Sequence, residues 1–420
     1  MKVNHKKLAI VFLYTLLYVL SFIITEDYLN KSDRTENNSE LTDKQVSSMA
    51  NKEKFKLGNE VLFEKYSSLI EGKKIGLITN QTGVNSKGES IIDMLYNYKS
   101  SKLVALYAPE HGIDGKAKAG LPVKTYTHPK YNIPVYSLYG DTRRPTKDML
   151  KNIDLLIYDM QDIGVRTYTY ISTLNYCMAE AAKYNIPIMV LDRPNPLGGM
   201  LVEGPVLEDS FKSFVGVDNL PMIHGMTIGE LAKFFNRNLG SNLKVIPMEG
   251  YNRSMIYEDT GLKWVQSSPN IPDIKSVFLY CATGLGEGTG ITQKEFFSFI
   301  GGENINSKVL ADKLNSANLK GVYFVPMNIN NTEGVRVQII NYEEFKPFEA
   351  GISILYYAKK ISDFKIPKSG KDIVMFDKIM GTDKIGEFLE KGYDPSYIED
   401  YFKEGLDNFK RQREQYLIYK

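Results

Sequence analysis

The sequence predicts an α/β fold, with a mostly parallel sheet covered by helices on both faces and a second region after it. Continuous Val/Ile/Leu runs recur through residues 73–196: KIGLITNQTG, KLVALYAPEHG, IPVYSLYGDTRRP, IDLLIYDMQDIGVRTYTY and IPIMVLDRPNP. Such short runs mark strands buried on both faces. Helical spacings lie between them, and this alternation implies right-handed βαβ crossovers. Each run also stops on polar, chemically capable residues. In parallel sheets the carboxyl ends of the strands line one crevice, where ligands bind. Asn80, Glu110, His111, Asp141, Arg143, Asp159, Asp162, Arg166, Asp192, Arg193 and Asn195 are therefore expected to converge on one pocket. That convergence points to an enzyme.

In chain order, the folded region opens with a helix over 59–70, where Val61, Leu62, Tyr66, Leu69 and Ile70 fall at helical spacing and Gly72 stops it. A helix is predicted over 90–98 after the first strand, and another over 146–152 after the third. The pattern over 169–184, with Leu174, Cys177, Met178, Ala181 and Ala182, predicts a long helix after the fourth. Thr227 followed by Glu230 is a capping box opening a further helix. Pro269 and Pro272 make 267–273 the expected seam between domains. Beyond it the sequence predicts a strand over 276–282, the glycine-rich TGLGEGTG, a strand over 335–340, a helix over 347–362 and a charged closing helix over 396–420. That last helix would pack Phe402, Leu406, Phe409, Tyr416 and Leu417 on one face.

Composition narrows the classes. Fifty-two basic against 50 acidic residues give a net +2, too balanced to argue for nucleic acid. The two cysteines, Cys177 and Cys281, have no metal-ligand spacing and read as buried free thiols. At the amino terminus Lys2, His5, Lys6 and Lys7 precede an apolar stretch over 8–24, the secretory pattern, read as a signal peptide or membrane anchor within residues 1–25. The positive flank would stay in the cytoplasm and the remainder would be exported, secreted or held at the outer face of the membrane. Residues 26–54, rich in Asn, Ser, Asp, Glu and Lys, read as a flexible linker. The remaining chain divides as 55–272 and 273–420.

APEHG is the strongest constellation. Glu110 follows a proline at a strand end and precedes a glycine turn, which fixes it facing the crevice. A carboxyl in an apolar, partly closed site keeps its proton near neutrality, as a general acid must. Capping a helix, or pairing with Arg143 or Arg166, is the competing account. YDMQDIGVRTYTY brings acids, Arg166 and tyrosines including Tyr168 into one strand-to-helix turn, suited to a polar sugar or to an internal Asp–Arg network. LDRPNPLGG places Asp192, Arg193 and Asn195 in a proline-stiffened loop. TGLGEGTG lacks the Lys-Ser/Thr of a phosphate loop, and no G-x-G-x-x-G follows the first strand, so no nucleotide cofactor is expected. Four histidines with no i, i+4 pair disfavour a zinc site, and no metal is expected.

Taken together, GLITNQTGVN, APEHGIDG, VYSLYGDTRRPT, IYDMQDIGVRTYTYISTL, VLDRPNPLGG, VEGPVL, MIHGMTIGELAKFFN and ATGLGEGTGI resemble the NamZ family of exo-β-N-acetylmuramidases. The resemblance runs in order from about residue 73 to the carboxyl terminus. It implies a Rossmann-like catalytic domain without nucleotide, a smaller α+β auxiliary domain, and release of N-acetylmuramic acid from the non-reducing end of peptidoglycan fragments. Glu110 falls where the family has its catalytic acid. Asn80, His111, Arg143, Asp162, Arg166, Tyr168, Arg193, Asn195, His224 and Glu287 are implied to bind substrate, with Arg166 or Arg193 on the lactyl carboxylate. Asp159, Asp162 or Asp192 would assist a water or orient the acetamido group. The implied partners are muramyl sugars, with the amino-terminal segment at a membrane. One departure is that the family continues TGLGEGTGI with a glycine-rich turn and a Pro/Trp-containing string, where this chain reads TQKEFFSFIGGENIN. A non-catalytic, membrane-tethered binder of wall fragments is the alternative, as is a hydrolase for another carboxylated glycoside.

Overall fold

The computed structural model describes residues 55–362 and 364–420. The segments 1–25 and 26–54, on which the signal, anchor and linker readings rest, lie outside them. The five predicted strands are present as β1 (Lys74–Thr79), β2 (Lys102–Ala108), β4 (Pro134–Ser137), β5 (Leu155–Asp159) and β6 (Ile188–Leu191). Two more, β3 (Tyr126–Thr127) and β7 (Leu243–Ile246), complete a seven-stranded sheet of order β3-β4-β2-β1-β5-β6-β7. Only the two-residue edge β3 runs antiparallel. The other six give the Rossmann order, reversing direction between β1 and β5.

Helices α1 (Gly58–Lys65), α2 (Ile91–Asn97), α3 (Tyr170–Lys183) and α4 (Ile228–Leu239) connect and cover these strands. On α3 the buried Ile171, Leu174, Cys177, Met178 and Ala181 recur at i, i+3 and i+4, forming the stripe that faces the core. The expected capping box opens α4: Thr227 Oγ1 accepts from Glu230 N at 3.3 Å, and Glu230 Oε2 accepts from Thr227 N at 3.0 Å. Gly240 closes it with φ 63°.

Several sequence expectations change. The run over 276–282 is not a strand but part of helix α5 (Ile274–Thr283), whose first turn is capped by Asp273 accepting from Ser276 N at 2.8 Å. A short apolar run does not by itself distinguish a buried strand from a buried helix. Residues 146–152 make only one turn, with Leu150 N on Thr146 O, and Asn152 at φ 70° ends it. The first helix breaks at Tyr66, and a 3₁₀ turn over Ser67–Leu69 follows. After α5 come the strands β8 (Ile291–Lys294), β9 (Phe299–Gly302), β10 (Val322–Ile329) and β11 (Thr332–Ile339), an antiparallel sheet of order β10-β11-β9-β8. Helices α6 (Ser307–Ser316), α7 (Pro347–Ile361), α8 (Met375–Met380), α9 (Lys384–Lys391) and α10 (Pro395–Arg413) accompany it. Both cysteines are buried and free.

The closing helix ends at Arg413, and the tail returns to the parallel sheet. Tyr419 OH donates to Asp192 Oδ2 and accepts from Met248 N, both at 2.7 Å, while Arg253 N donates to Lys420 O. Tyr419→Phe is therefore expected to strand the buried Met248 N–H and to lower stability by about 1–3 kcal/mol. The readout is a lower urea midpoint at unchanged slope.

Candidate active site

Beyond the carboxyl ends of β2 and β5 opens a cleft of about 740 Å³, within the ordinary range of ligand pockets. It does not sit on the point where the strand order reverses. There the chain fills its own crevice. Thr82 Oγ1 accepts from Gln161 N at 2.9 Å, Thr79 Oγ1 donates to Asp159 O at 2.7 Å, and a Cβ on Gly83 would meet Thr79 Oγ1 at 2.2 Å. The open space is displaced toward β2 and β4 and is bounded by residues from β8, α5 and α8.

Glu110 lies in this cleft, 8% exposed, just past the end of β2. Two donors orient its carboxylate: Gly120 N at 2.9 Å on Oε1 and Thr169 Oγ1 at 2.6 Å on Oε2. Tyr139 also hydrogen-bonds it. The Tyr139 phenol is pushed up to about 12, first by burial and then by the Glu110 charge, against the opposing pull of Arg143. His111 lines the cleft at φ 70°, a left-handed turn instead of the extended continuation that would point it away, and its Nδ1 sits 2.7 Å from Ala117 O. Glu287 is a second cleft carboxyl, and Glu295, the third, is paired with Arg336. Although Glu287 is exposed at the rim, burial against the wall raises its pKa, and the Glu110 charge raises it further.

Aromatic rings form two walls. Tyr139 and Phe214 stand 5.9 Å apart, with the Arg143 guanidinium 4.4 Å from the Phe214 centroid. Opposite them Tyr168 meets Tyr280 edge-on at 6.3 Å, and Tyr280 meets Phe297 at 5.0 Å. Tyr168 OH donates to Ser267 Oγ at 3.0 Å, so the predicted seam over 267–273 borders the cleft. The hairpin tip between β8 and β9 has three successive non-glycine residues with positive φ: Glu295 (49°), Phe296 (54°) and Phe297 (68°). Each such residue costs about 1–3 kcal/mol and persists only where its surroundings impose it.

Of the predicted site residues, Glu110, His111, Arg143, Tyr168 and Glu287 line the cleft. The others do not, and Asp141 is exposed outside its lining. Arg166 is fully buried; Nη1 donates to Pro205 O and Leu220 O, and Nη2 to Ile379 O at 2.6 Å. Burial without a carboxylate partner brings it down to about 9. Arg193 Nε donates to Asp159 Oδ1 at 2.5 Å, and Asn59 Nδ2 donates to the other Asp159 oxygen. Neither arginine is free to receive a lactyl carboxylate in the cleft, and Asp159 cannot reach a water there.

Asp192 is spent on Thr227 Oγ1, Gly229 N and Tyr419 OH; with no cation beside it, burial raises it to about 7. Asn80 accepts from Thr82 N, and Asn195 ties Leu197 N to Met226 O. Asp162 accepts from Gly164 N at 2.7 Å and lies 3.9 Å from His224 Nε2, behind the cleft. Polar residues at strand ends were expected in the opening, but most of them hold the turns that shape it. Sequence reading missed Tyr139, Thr169, Phe214, Tyr280, Lys378 and the tip Phe296–Phe297. Tyr139 and Thr169 sit inside quoted motifs, whereas Phe214 and Lys378 carry no local signal. Among the described residues no group of three or more His, Cys, Asp and Glu side chains is placed to hold a metal ion.

Carboxyls set among tyrosine and phenylalanine rings in an α/β cleft are the equipment of acid–base glycoside chemistry. The chain belongs to the NamZ family: residues 75–275 match the family model Exo-beta-N-acetylmuramidase NamZ, N-terminal, and residues 278–419 match its C-terminal counterpart. It is 41% identical over 387 residues to the peptidoglycan beta-N-acetylmuramidase NamZ of Bacillus subtilis (strain 168), covering 88% of this chain and 92% of that one. Crystal structures of two DUF1343 family proteins from Bacteroides fragilis are also similar. One is 36% identical with a TM-score of 0.80, the other 26% identical with 0.68, and each match covers 87% of this chain and 99% of the other.

The Asp162–His224 pair carries a pH signature. Burial raises Asp162 to about 7 and lowers His224 to about 3, so both are neutral in the folded chain near pH 5 and both are charged when it unfolds. The raised acid contributes stability that is lost as pH rises toward 7; the lowered base contributes stability that is lost as pH falls from 6.5 toward 3. Their slopes cancel between about pH 4 and 6.5. Relative to the parent chain, Asp162→Asn is expected to shift the slope of stability against pH upward across that window, and His224→Asn to shift it downward, each by up to about 1.4 kcal/mol per pH unit. Denaturant midpoints measured from pH 4 to 7 check both signs.

Proposed function

We propose that the chain is an exo-acting β-N-acetylmuramidase that removes N-acetylmuramic acid from the non-reducing end of peptidoglycan fragments. The observation that carries the reading is the position of Glu110, at the foot of the cleft and oriented by Thr169, Tyr139 and the Gly120 amide. Family membership and the similarity to the Bacillus subtilis muramidase support it. In this mechanism Glu110 protonates the leaving glycosidic oxygen as an oxocarbenium-like centre develops. Glu287 takes the second carboxyl role, activating a water or steadying the acetamido group, because Asp159, Asp162 and Asp192 are committed elsewhere. The ring walls receive the apolar faces of the sugar.

The lactyl carboxylate needs a cation. Lys294 donates to Ile329 O and Thr332 Oγ1, but among the described residues Arg143 and Lys378 line the cleft without a carboxylate partner. Arg143, whose planar fork lies over Phe214 and over the Tyr139 ring that hydrogen-bonds Glu110, takes that part. Residues 55–272 carry the acid and 273–420 close the opposite wall. The basic flank before residues 8–24 supports action outside the cytoplasmic membrane.

Glu110→Gln is expected to lower kcat by about 10²–10⁴ on a muramyl disaccharide. The loss should be much smaller on a nitrophenyl glycoside, whose leaving group needs little protonation. Equal turnover by variant and wild type on the disaccharide removes Glu110 from the acid role. Arg143→Ala is expected to erase most of the preference for muramic acid over glucosamine glycosides, a difference of roughly tenfold or more for one charge-assisted contact of about 1.5–3 kcal/mol. Competing the two glycosides in one assay reads it directly.

A further inference from the structure

We propose that Phe296 is the platform for the sugar on the leaving side of the bond, and so sets which muramyl fragments this chain accepts. The inference rests on the muramidase reading above. An exo-acting site holds one terminal sugar inside, and the rest of the fragment must leave through the opening. Phe296 stands at that opening: it lines the cleft yet keeps 53% of its surface exposed, an unusual state for a phenylalanine with a packed interior beside it.

The hairpin around it is built to hold this position. Thr283 Oγ1 donates to Phe297 O at 2.8 Å, and the Phe297 ring packs edge-on against Tyr280. Glu295 forms an ion pair with Arg336. On the β9 side Ser298 Oγ donates to Glu295 O at 2.8 Å, and Val337 N donates to Ser298 O at 2.8 Å. Both neighbours of Phe296 are thus tied down, and the left-handed run between them turns the middle residue outward. Backbone strain maintained by several independent anchors marks a position kept for use. An exposed aromatic face at the mouth of a sugar cleft offers the apolar side of a pyranose a flat surface with little conformational entropy to lose.

The test uses the full chain and N-acetylmuramyl-β-1,4-N-acetylglucosamine. For Phe296→Ala, kcat/KM on the disaccharide is expected to fall about tenfold, mainly through KM, while the Kd for free N-acetylmuramic acid stays within twofold. Phe296→Trp, which keeps a ring, is expected to retain most of the wild-type value. The proposal is overturned if Phe296→Ala leaves the disaccharide parameters unchanged, or if it weakens free N-acetylmuramic acid as much as the disaccharide. A wild-type chain that releases no N-acetylmuramic acid from the disaccharide overturns the muramidase reading, and this assignment with it.

Discussion

One buried guanidinium joins the segment that carries Phe214 to the helix that carries Lys378, and the cleft lies against both. Arg166 leaves the turn after β5 and donates from its two terminal nitrogens to carbonyls from three separate places: Pro205, Leu220 and Ile379. The first two belong to the irregular excursion after β6 that also supplies Phe214, and the third lies on α8 beside Lys378. A charge buried without a counterion is costly, and here carbonyl dipoles supply the compensation. The fit leaves no slack, since a Cβ on Gly381 would approach the guanidinium to 2.8 Å. Three residues further along the same turn, Thr169 meets Glu110. The bond that orients the acid and the bonds that join the walls therefore share one short stretch of backbone.

The charged residues around the top of the parallel sheet divide into two sets by where they face. One set is enclosed and paired: Asp159 with Arg193 and Asn59, Asp192 with Thr227 and Tyr419, Glu230 with Arg253. The other set, Glu110, Glu287, Arg143 and Lys378, faces the opening. The first set explains why the crevice at the reversal of strand order is closed to a nucleotide-sized ligand. Asn59 reaches into it from α1 to Val84 O and Asp159, while Gln81, two residues past β1, donates to the carbonyls of Gln266 and Ser267. The space that other folds of this topology leave for a dinucleotide is occupied here by the protein, and the working cleft lies to one side.

The parallel sheet was legible because buried parallel strands are written as continuous apolar runs, and all five such runs are strands. The capped helix at Thr227 was legible from its own residues, since capping is local chemistry. The run over 276–282 was not: its hydrophobicity reports burial, and only the Asp273 cap distinguishes helix from strand. In the site, Glu110 was legible because a proline, a strand end and a glycine confine it. Arg166, Asp159 and Asp192 carry the same kinds of local signal yet are turned inward, and what turns them comes from distant segments such as Ile379, Asn59 and Tyr419. A motif places a residue at the top of the sheet, but tertiary partners decide which way it faces.

The Asp192–Tyr419 contact joins the residue that follows β6 to one 227 positions further along the chain. A growing polypeptide cannot make this contact until the 227-residue stretch that separates the two partners has been synthesised. Until then the carboxylate after β6 waits in a half-built enclosure, and the helix that begins at Ile228 lacks one of the groups that seal its start. Closure of this enclosure is thereby a late event among the described residues, and the largest sheet stays unlatched on this side until the distant tyrosine arrives.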